Sequence, residues 1–233
     1  MSKNYLIIGA SSGIGYELAK KLLIAGNEVY TASRQVPDIE GVHHLFFDAQ
    51  NPDISVFSSL PNEMHGVAYC PGTINLKPFH RLSIDDFKQD FQINVVGAIA
   101  VLQSILPKLK MPTGSSVVLF STVAAKIGMG FHASVATSKG AIEGLALSLS
   151  AEWAASKIRV NVVAPSLTDT PLAKNLLASD EKKEASNKRH PLGRYGTPQE
   201  VAAMATFLLS DEGAWITGQV FGIDGGIGSL KTA

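Results

Sequence analysis

A lone cysteine, Cys70, is all that the 233 residues contain, which excludes an internal disulfide and any cysteine-based zinc site. Charge of one sign is also missing: 20 Lys+Arg stand against 20 Asp+Glu, so the chain lacks the basic footprint of a nucleic-acid binder. No uninterrupted apolar run reaches the roughly 18 residues that cross a bilayer. No low-complexity linker and no internal repeat divides the chain. His43-His44 has no third ligand at metal spacing, so no metal site is expected. The first residues, Met1 to Tyr5, lead straight into a strand-like run and leave no room for a signal peptide. These absences lead to the expectation of a soluble, cytoplasmic, globular protein with neither nucleic acid nor membrane as partner.

What the chain does have is apolar material, 45% of its residues, enough for one large core and one domain spanning residues 1–233. Short apolar runs alternate with longer helical patterns. Strands are expected at Tyr5 to Gly9, Glu28 to Ala32, Leu45 to Phe47, Gly66 to Cys70, Ser116 to Ser121, Ile158 to Ala164 and Gln219 to Ile223. Helices are expected at Ile14 to Ala25, Ile84 to Lys110, Ala133 to Ser156 and Pro198 to Ser210, with Pro107 expected to kink or end the second. The charged stretch Ala173 to Arg194 has no strand character. Strand–helix alternation of this kind predicts an α/β fold: a single doubly wound, Rossmann-type parallel sheet with helices on both faces.

Between the first strand and first helix stands Gly9-Ala10-Ser11-Ser12-Gly13-Ile14-Gly15. A phosphate held by backbone N–H groups needs side chains out of the way, and glycines at such a turn let a pyrophosphate reach the positive end of the helix. Gly9, Ser11, Ser12, Gly13, Ile14 and Gly15 are therefore candidate dinucleotide-binding residues. The second strand runs out at Ser33-Arg34, where an NAD site has an acid for the ribose 2′-hydroxyl; an uncharged Ser33 and a cationic Arg34 suit a 2′-phosphate. NADP(H) is thus expected in preference to NAD. Asp48, closing the third strand, stands either beside the adenine or in a turn of its own making.

These motifs, taken with five others, resemble the short-chain dehydrogenase/reductase superfamily over nearly the whole length. The glycine spacing G-x-x-x-G-x-G, Asn94-Val95-Val96-Gly97, Arg159 to Pro165, Gly193 to Glu200, Ile216 to Gln219 and Asp224-Gly225-Gly226 occur in that family's order. The resemblance implies hydride transfer between NAD(P)H and a carbonyl, alcohol or related group of a small-molecule substrate. It implies cofactor contacts at Gly72, Asn94, Lys139, Pro165, Thr168 and Thr170, a substrate-site lid at about 171–195, and a homotetramer or dimer paired through long apolar helices. It also implies a catalytic set of Asn, Ser, Tyr and Lys. Asn94 matches the first and Lys139 the last; Thr122 stands at the Ser position, with Ser121 the alternative if the register slips by one.

The Tyr position, four before Lys139, is Val135. Valine neither titrates nor hydrogen-bonds, and general acid–base help is typically worth about 10²–10⁴-fold. His132, seven before Lys139, occupies the spacing at which enoyl reductases of the superfamily carry their tyrosine, and its ordinary pKa suits proton transfer near neutrality. A water held by Asn94, Thr122 and Lys139 is the other source. Ser134 and Ser138 should point away from the Lys139 face. The stretch Ser148 to Trp153 is similar to the dienoyl-CoA reductase branch, whose tyrosine follows the fifth strand, but Ser121 to Ile127 holds no tyrosine. Two further departures are Tyr69-Cys70-Pro71-Gly72 in place of Asn-Asn-Ala-Gly, and Ser166 after Pro165 where the family mostly has Gly. Tyr69, Trp153 and Trp215 read as packing residues. Three readings follow: an NADP(H)-dependent oxidoreductase, an enoyl-thioester-type reductase using His132, or a nucleotide-binding pseudoenzyme or regulator without hydride transfer.

Overall fold

Alternation of apolar side chains along the strands decides the layering. In β1 (Asn4–Ile8), Leu6 and Ile8 face one side and Tyr5 and Ile7 the other, and all four are buried. A strand buried on both faces belongs inside a sheet covered twice. The computed structural model, which describes residues 2–231, has that arrangement. Seven parallel strands lie in the order β3-β2-β1-β4-β5-β6-β7. They are β1, β2 (Glu28–Ser33), β3 (His43–Phe46), β4 (Gly66–Tyr69), β5 (Ser115–Phe120), β6 (Ile158–Pro165) and β7 (Val220–Ile223).

One face is covered by α1 (Gly13–Ile24) and α6 (Pro198–Leu209), whose Leu18, Leu22, Val201 and Leu208 meet Tyr5 and Ile7. The other is covered by α3 (Gly97–Leu109) and α4 (Ala133–Trp153), whose Val101, Ile105, Ile142 and Trp153 meet Leu6 and Ile8. Helices α2 (Ile84–Phe91) and α5 (Asp180–Arg189) lie outside these layers; α5 follows a 3₁₀ turn at Pro171–Leu177. The α/β, doubly wound architecture expected from the sequence is the one observed. Trp153 is buried as expected, whereas Trp215 is fully exposed and packs on nothing.

The second helical pattern ends at Leu109, two residues past Pro107 as expected, but it also has an interruption that the sequence did not suggest. Pro107 sits inside the last turn of α3, and the interruption lies at a π-helical turn, Gln92–Val96, between α2 and α3. The cause is Asn94: its amide Nδ2 donates to the Asp90 carbonyl at 2.7 Å, the acceptor that its own backbone N–H would take in an α-helix. Tyr69, at the end of β4, donates its hydroxyl to the Ile93 carbonyl at 2.5 Å, so a second carbonyl of the irregular turn is satisfied by a side chain. The combined helix Ile84–Leu109 is, by length and composition, apolar enough to cross a membrane; its Val95, Ala98, Val101, Leu102 and Ile105 are packed in the core.

Replacing Tyr69 with Phe leaves the Ile93 carbonyl without that donor while keeping the ring. The expected result is a loss of about 1–3 kcal/mol in urea denaturation; an unchanged midpoint would show that the turn does not need this bond.

Candidate functional site

The strand order reverses direction of growth between β1 and β4, and a crevice opens there at the carboxyl ends of the strands. The glycine turn leaves β1 on one side of it. Gly9 and Gly13 have φ of +81° and +61°, conformations that side-chain-bearing residues rarely adopt. A Cβ on Gly15 would overlap the Gly9 carbonyl oxygen, so the helix starts as close to the strand as backbone allows. Ser12 is the N-cap of α1 but makes no side-chain capping bond, and the first turn carries no acid. The helix therefore presents uncapped N–H groups and an uncompensated positive dipole end, as an anion site requires. Thr170 closes the turn from the far side, its methyl 3.3 Å from where a Gly13 Cβ would stand.

Cys70, Pro71 and Gly72 leave β4 on the other side of the crevice. Above them lie Asn94 in the π turn and Lys139 in α4, both buried. A Cβ on Gly72 would stand 3.4 Å from Lys139 Nζ and 3.5 Å from Asn94 Oδ1, so glycine keeps this corner open. Asn94 spends both amide hydrogens, on Asp90 O and on Thr73 Oγ1 at 3.0 Å, while its buried Oδ1 accepts from no group among the described residues. An unsatisfied buried acceptor costs about 1–3 kcal/mol, so this oxygen is held ready for a donor from outside the protein. Lys139 Nζ donates to the Phe120 carbonyl at 2.9 Å. Burial draws its pKa down to about 8, with Cys70 and Asp90 opposing the fall. The neighbouring Cys70 thiol is pushed up to about 12 by its own burial, which keeps it a neutral thiol.

A cavity of about 510 Å³ adjoins this corner. Of the residues singled out in the sequence, Ile14, Gly72, Thr122, His132, Lys139, Pro165, Thr168 and Thr170 line it. Thr122 caps the 3₁₀ turn Val123–Ala125, its Oγ1 accepting from Ala124 N at 3.3 Å. Ser121 also lines the cavity, but its hydroxyl is directed into α4, donating to Glu143 at 2.7 Å. Helix α4 begins at Ala133, so His132 is its N-cap and not part of its face. Its Nδ1 lies 2.6 Å from the Gly130 carbonyl; a carbonyl only accepts, so Nδ1 carries the hydrogen and Nε2 is the free ring nitrogen. Val135 also lines the cavity, and Ser134 and Ser138 do not, pointing away from it as expected.

Ser33, Arg34 and Asp48 lie outside the cavity, at and beyond the ends of β2 and β3, on the far side of the glycine turn. Ser33 Oγ donates to Gln35 O. Arg34 is exposed and makes no ion pair among the described residues. Asp48 accepts from Gln50 N at 3.0 Å, the turn-forming alternative. Thr168 Oγ1 donates to Ser166 O and Thr170 Oγ1 to Thr168 O, so these hydroxyls brace the loop after β6.

One pairing escapes sequence reasoning. Ser166 Oγ lies 2.8 Å from His190 Nε2, and His190 Nδ1 lies 2.6 Å from Ser186 O. The carbonyl fixes the hydrogen on Nδ1, so in the neutral ring Ser166 donates to Nε2. The pair ties the end of α5 to the loop after β6, and both residues line the cavity. Ser166 in place of glycine was the one signal; its partner is 24 residues away.

Comparison with known proteins follows the same lines. Residues 56–228 match the family model described as enoyl-(acyl carrier protein) reductase. The chain is 30% identical over 241 residues to a tropinone reductase homologue of Arabidopsis thaliana, covering 96% of this chain and 92% of that protein. It superposes with a TM-score of 0.92 on a short chain dehydrogenase family protein from Francisella tularensis, at 28% identity, covering 99% of this chain and 100% of the other. The ligand-free aldohexose dehydrogenase of Thermoplasma acidophilum gives a TM-score of 0.90 at 28% identity, covering 100% of this chain and 97% of the other.

The depressed pKa of Lys139 has a measurable consequence. Between pH 8 and 10.5 the unfolded chain holds a proton on this lysine that the folded chain has released, so stability rises with pH across that window. A Lys139→Met variant should lack that rise. Chemical denaturation of both proteins at the two ends of the window checks it; equal pH slopes would contradict the shift.

Proposed function

This chain belongs to the short-chain dehydrogenase/reductase superfamily, and on that premise we propose that it is an NADP(H)-dependent oxidoreductase acting on the carbonyl, alcohol or conjugated enoyl group of a small molecule. Membership makes it an NAD(P)-binding oxidoreductase; the choice of NADP(H), the substrate and the residue roles are our reading. The observation that carries it is the open corner at Gly72, where a buried ammonium and an orphaned amide oxygen meet beside the uncapped start of α1.

The residues present fit a dinucleotide. The uncapped N–H groups from Ser12 to Gly15 suit a pyrophosphate, with Gly9 and Ser11 shaping the approach. Ser33 and the unpaired Arg34 suit a 2′-phosphate. Lys139 suits the ribose hydroxyls, and Pro165, Thr168 and Thr170 suit the nicotinamide end. A bound nicotinamide dinucleotide supplies or accepts the hydride. Thr122 then orients the substrate oxygen, and Asn94 Oδ1 holds a water or hydroxyl against Lys139. His132, its Nδ1–H held by the Gly130 carbonyl, serves in its doubly protonated form as proton donor from Nε2, in place of the absent phenol, and is left neutral afterwards. The segment 171–195, with α5 at its centre, acts as the substrate-site lid. Gly140 and Gly144 on α4 have open space above them and Leu147 is 62% exposed, which favours pairing of two copies along this helix.

Val135, buried to 6% exposure with no polar atom to offer, favours a second reading: a nucleotide-binding regulator that moves no hydride. Loss of NADPH absorbance with a panel of ketones, quinones and enoyl thioesters separates the two. Turnover is expected, falling about 10²-fold in His132→Ala; tight NADPH binding without turnover on any substrate would favour the regulator. If a thioester is the substrate, a saturated product rather than a hydroxy compound identifies the enoyl-type reaction.

Cofactor preference has its own test. NADPH should bind more tightly than NADH, and Arg34→Ala should reduce that preference about tenfold, the scale of one lost charge-assisted bond. Equal affinities in the unaltered protein, measured by calorimetry, would assign the site to NAD(H).

A further inference from the structure

We infer that the cavity takes an anionic ligand, an apolar body ending in a carboxylate or phosphate, whose charge is met by Lys182 and Arg189 of α5. The inference names a substrate class for the site proposed above and rests on that reading for its reaction.

The first observation is the charge of the walls. The residues lining the cavity include Lys139, Lys182 and Arg189 and not one Asp or Glu. The overall chain is neutral, so this imbalance is local. The second is how α5 distributes its own charges. Asp180 pairs with Lys183 at 3.6 Å and Glu184 with Lys188 at 3.4 Å, while Glu181 is held at the helix start by Ser179. Each acid is thus engaged away from the cavity. Lys182 and Arg189 have no carboxylate partner among the described residues and hydrogen-bond only neutral oxygens, Asn175 O at 2.9 Å and Ser186 Oγ at 3.2 Å.

Seven residues apart, the two cations lie on one face of the helix, about 10 Å along its axis. Long, rotatable arms let either or both reach an anion entering between them. The third observation is the remaining wall: Leu76, Met129, Val135, Leu172 and Leu176 are apolar. An apolar wall strengthens the field of the cations and receives a hydrocarbon body. A neutral polar ligand would gain from neither feature.

The NADP⁺-saturated protein should be titrated calorimetrically with octanoate, octyl phosphate and octan-1-ol. At least one anion should bind about tenfold or more tightly than the alcohol. The exposed pair Lys182→Gln, Arg189→Gln, which should leave the thermal midpoint unchanged, should abolish that preference and leave NADP⁺ affinity within about twofold. Equal binding of alcohol and anions, or a preference that survives the double substitution, would overturn the inference. So would a parallel loss of NADP⁺ affinity, which would assign the two cations to the cofactor's phosphates. Repeating the anion titration without dinucleotide keeps the tests separate. Failure of NADP⁺ itself to bind would then count against the oxidoreductase reading alone.

Discussion

Parallel strands all release their chains at the same edge of the sheet, and in this protein that constraint governs everything downstream. The loops after β1, β4 and β5 and the last residue of β6 bring the glycine turn, Gly72, Thr122 and Pro165 to one side. The reversal between β1 and β4 spreads two of these loops apart and makes a crevice of the edge. No long-range attraction between the functional residues is needed to gather them, because the hydrogen-bonded ladder does so. What the ladder cannot supply is the roof of the crevice, and α4 and the π turn provide it.

The roof is built from local conflicts that are each resolved by a side chain. Asn94 takes a carbonyl from its own helix and forces five residues into a π turn. Tyr69 reaches from the sheet to satisfy another, and Asp90, buried in α2, accepts from Ser134 of α4 at 2.5 Å. A regular helix here would be more favourable in isolation, and the irregular one leaves Asn94 Oδ1 free beside a desolvated ammonium. Strained or unsatisfied groups of this kind persist where the surrounding structure holds them and are characteristic of functional sites. Val135 brings no hydroxyl to this roof, and it lines the same cavity as Lys139 and Thr122.

Much of this is legible in the sequence. Strand positions followed from continuous apolar runs such as Val117 to Phe120, because only a strand covered on both faces tolerates them. The glycine turn was legible because its spacing reflects backbone geometry that few other residues can adopt. The end of the helix close to Pro107 is legible because proline is the strongest local signal, whereas the π turn is not, since its cause is an asparagine whose amide acts on a carbonyl one turn earlier. Trp215 was expected to pack because of its size, and nothing in its neighbourhood of the sequence told that it stands free. Ser166 was visible as a departure, but its bond to His190 was not.

Periodicity and glycine spacing by themselves determined the α/β class, the element order and the end of the sheet at which a phosphate would be held, because those depend on local backbone sterics and on burial. Only the tertiary structure decided that the Ser121 hydroxyl is spent on Glu143, that Asn94 keeps one oxygen unsatisfied, and that the lining cations of α5 have no acid among the residues that line the cavity with them. Each of these depends on which side chains meet across elements tens of residues apart, and such meetings are set by the packing of the whole sheet and its helices, a property that no window along the chain contains.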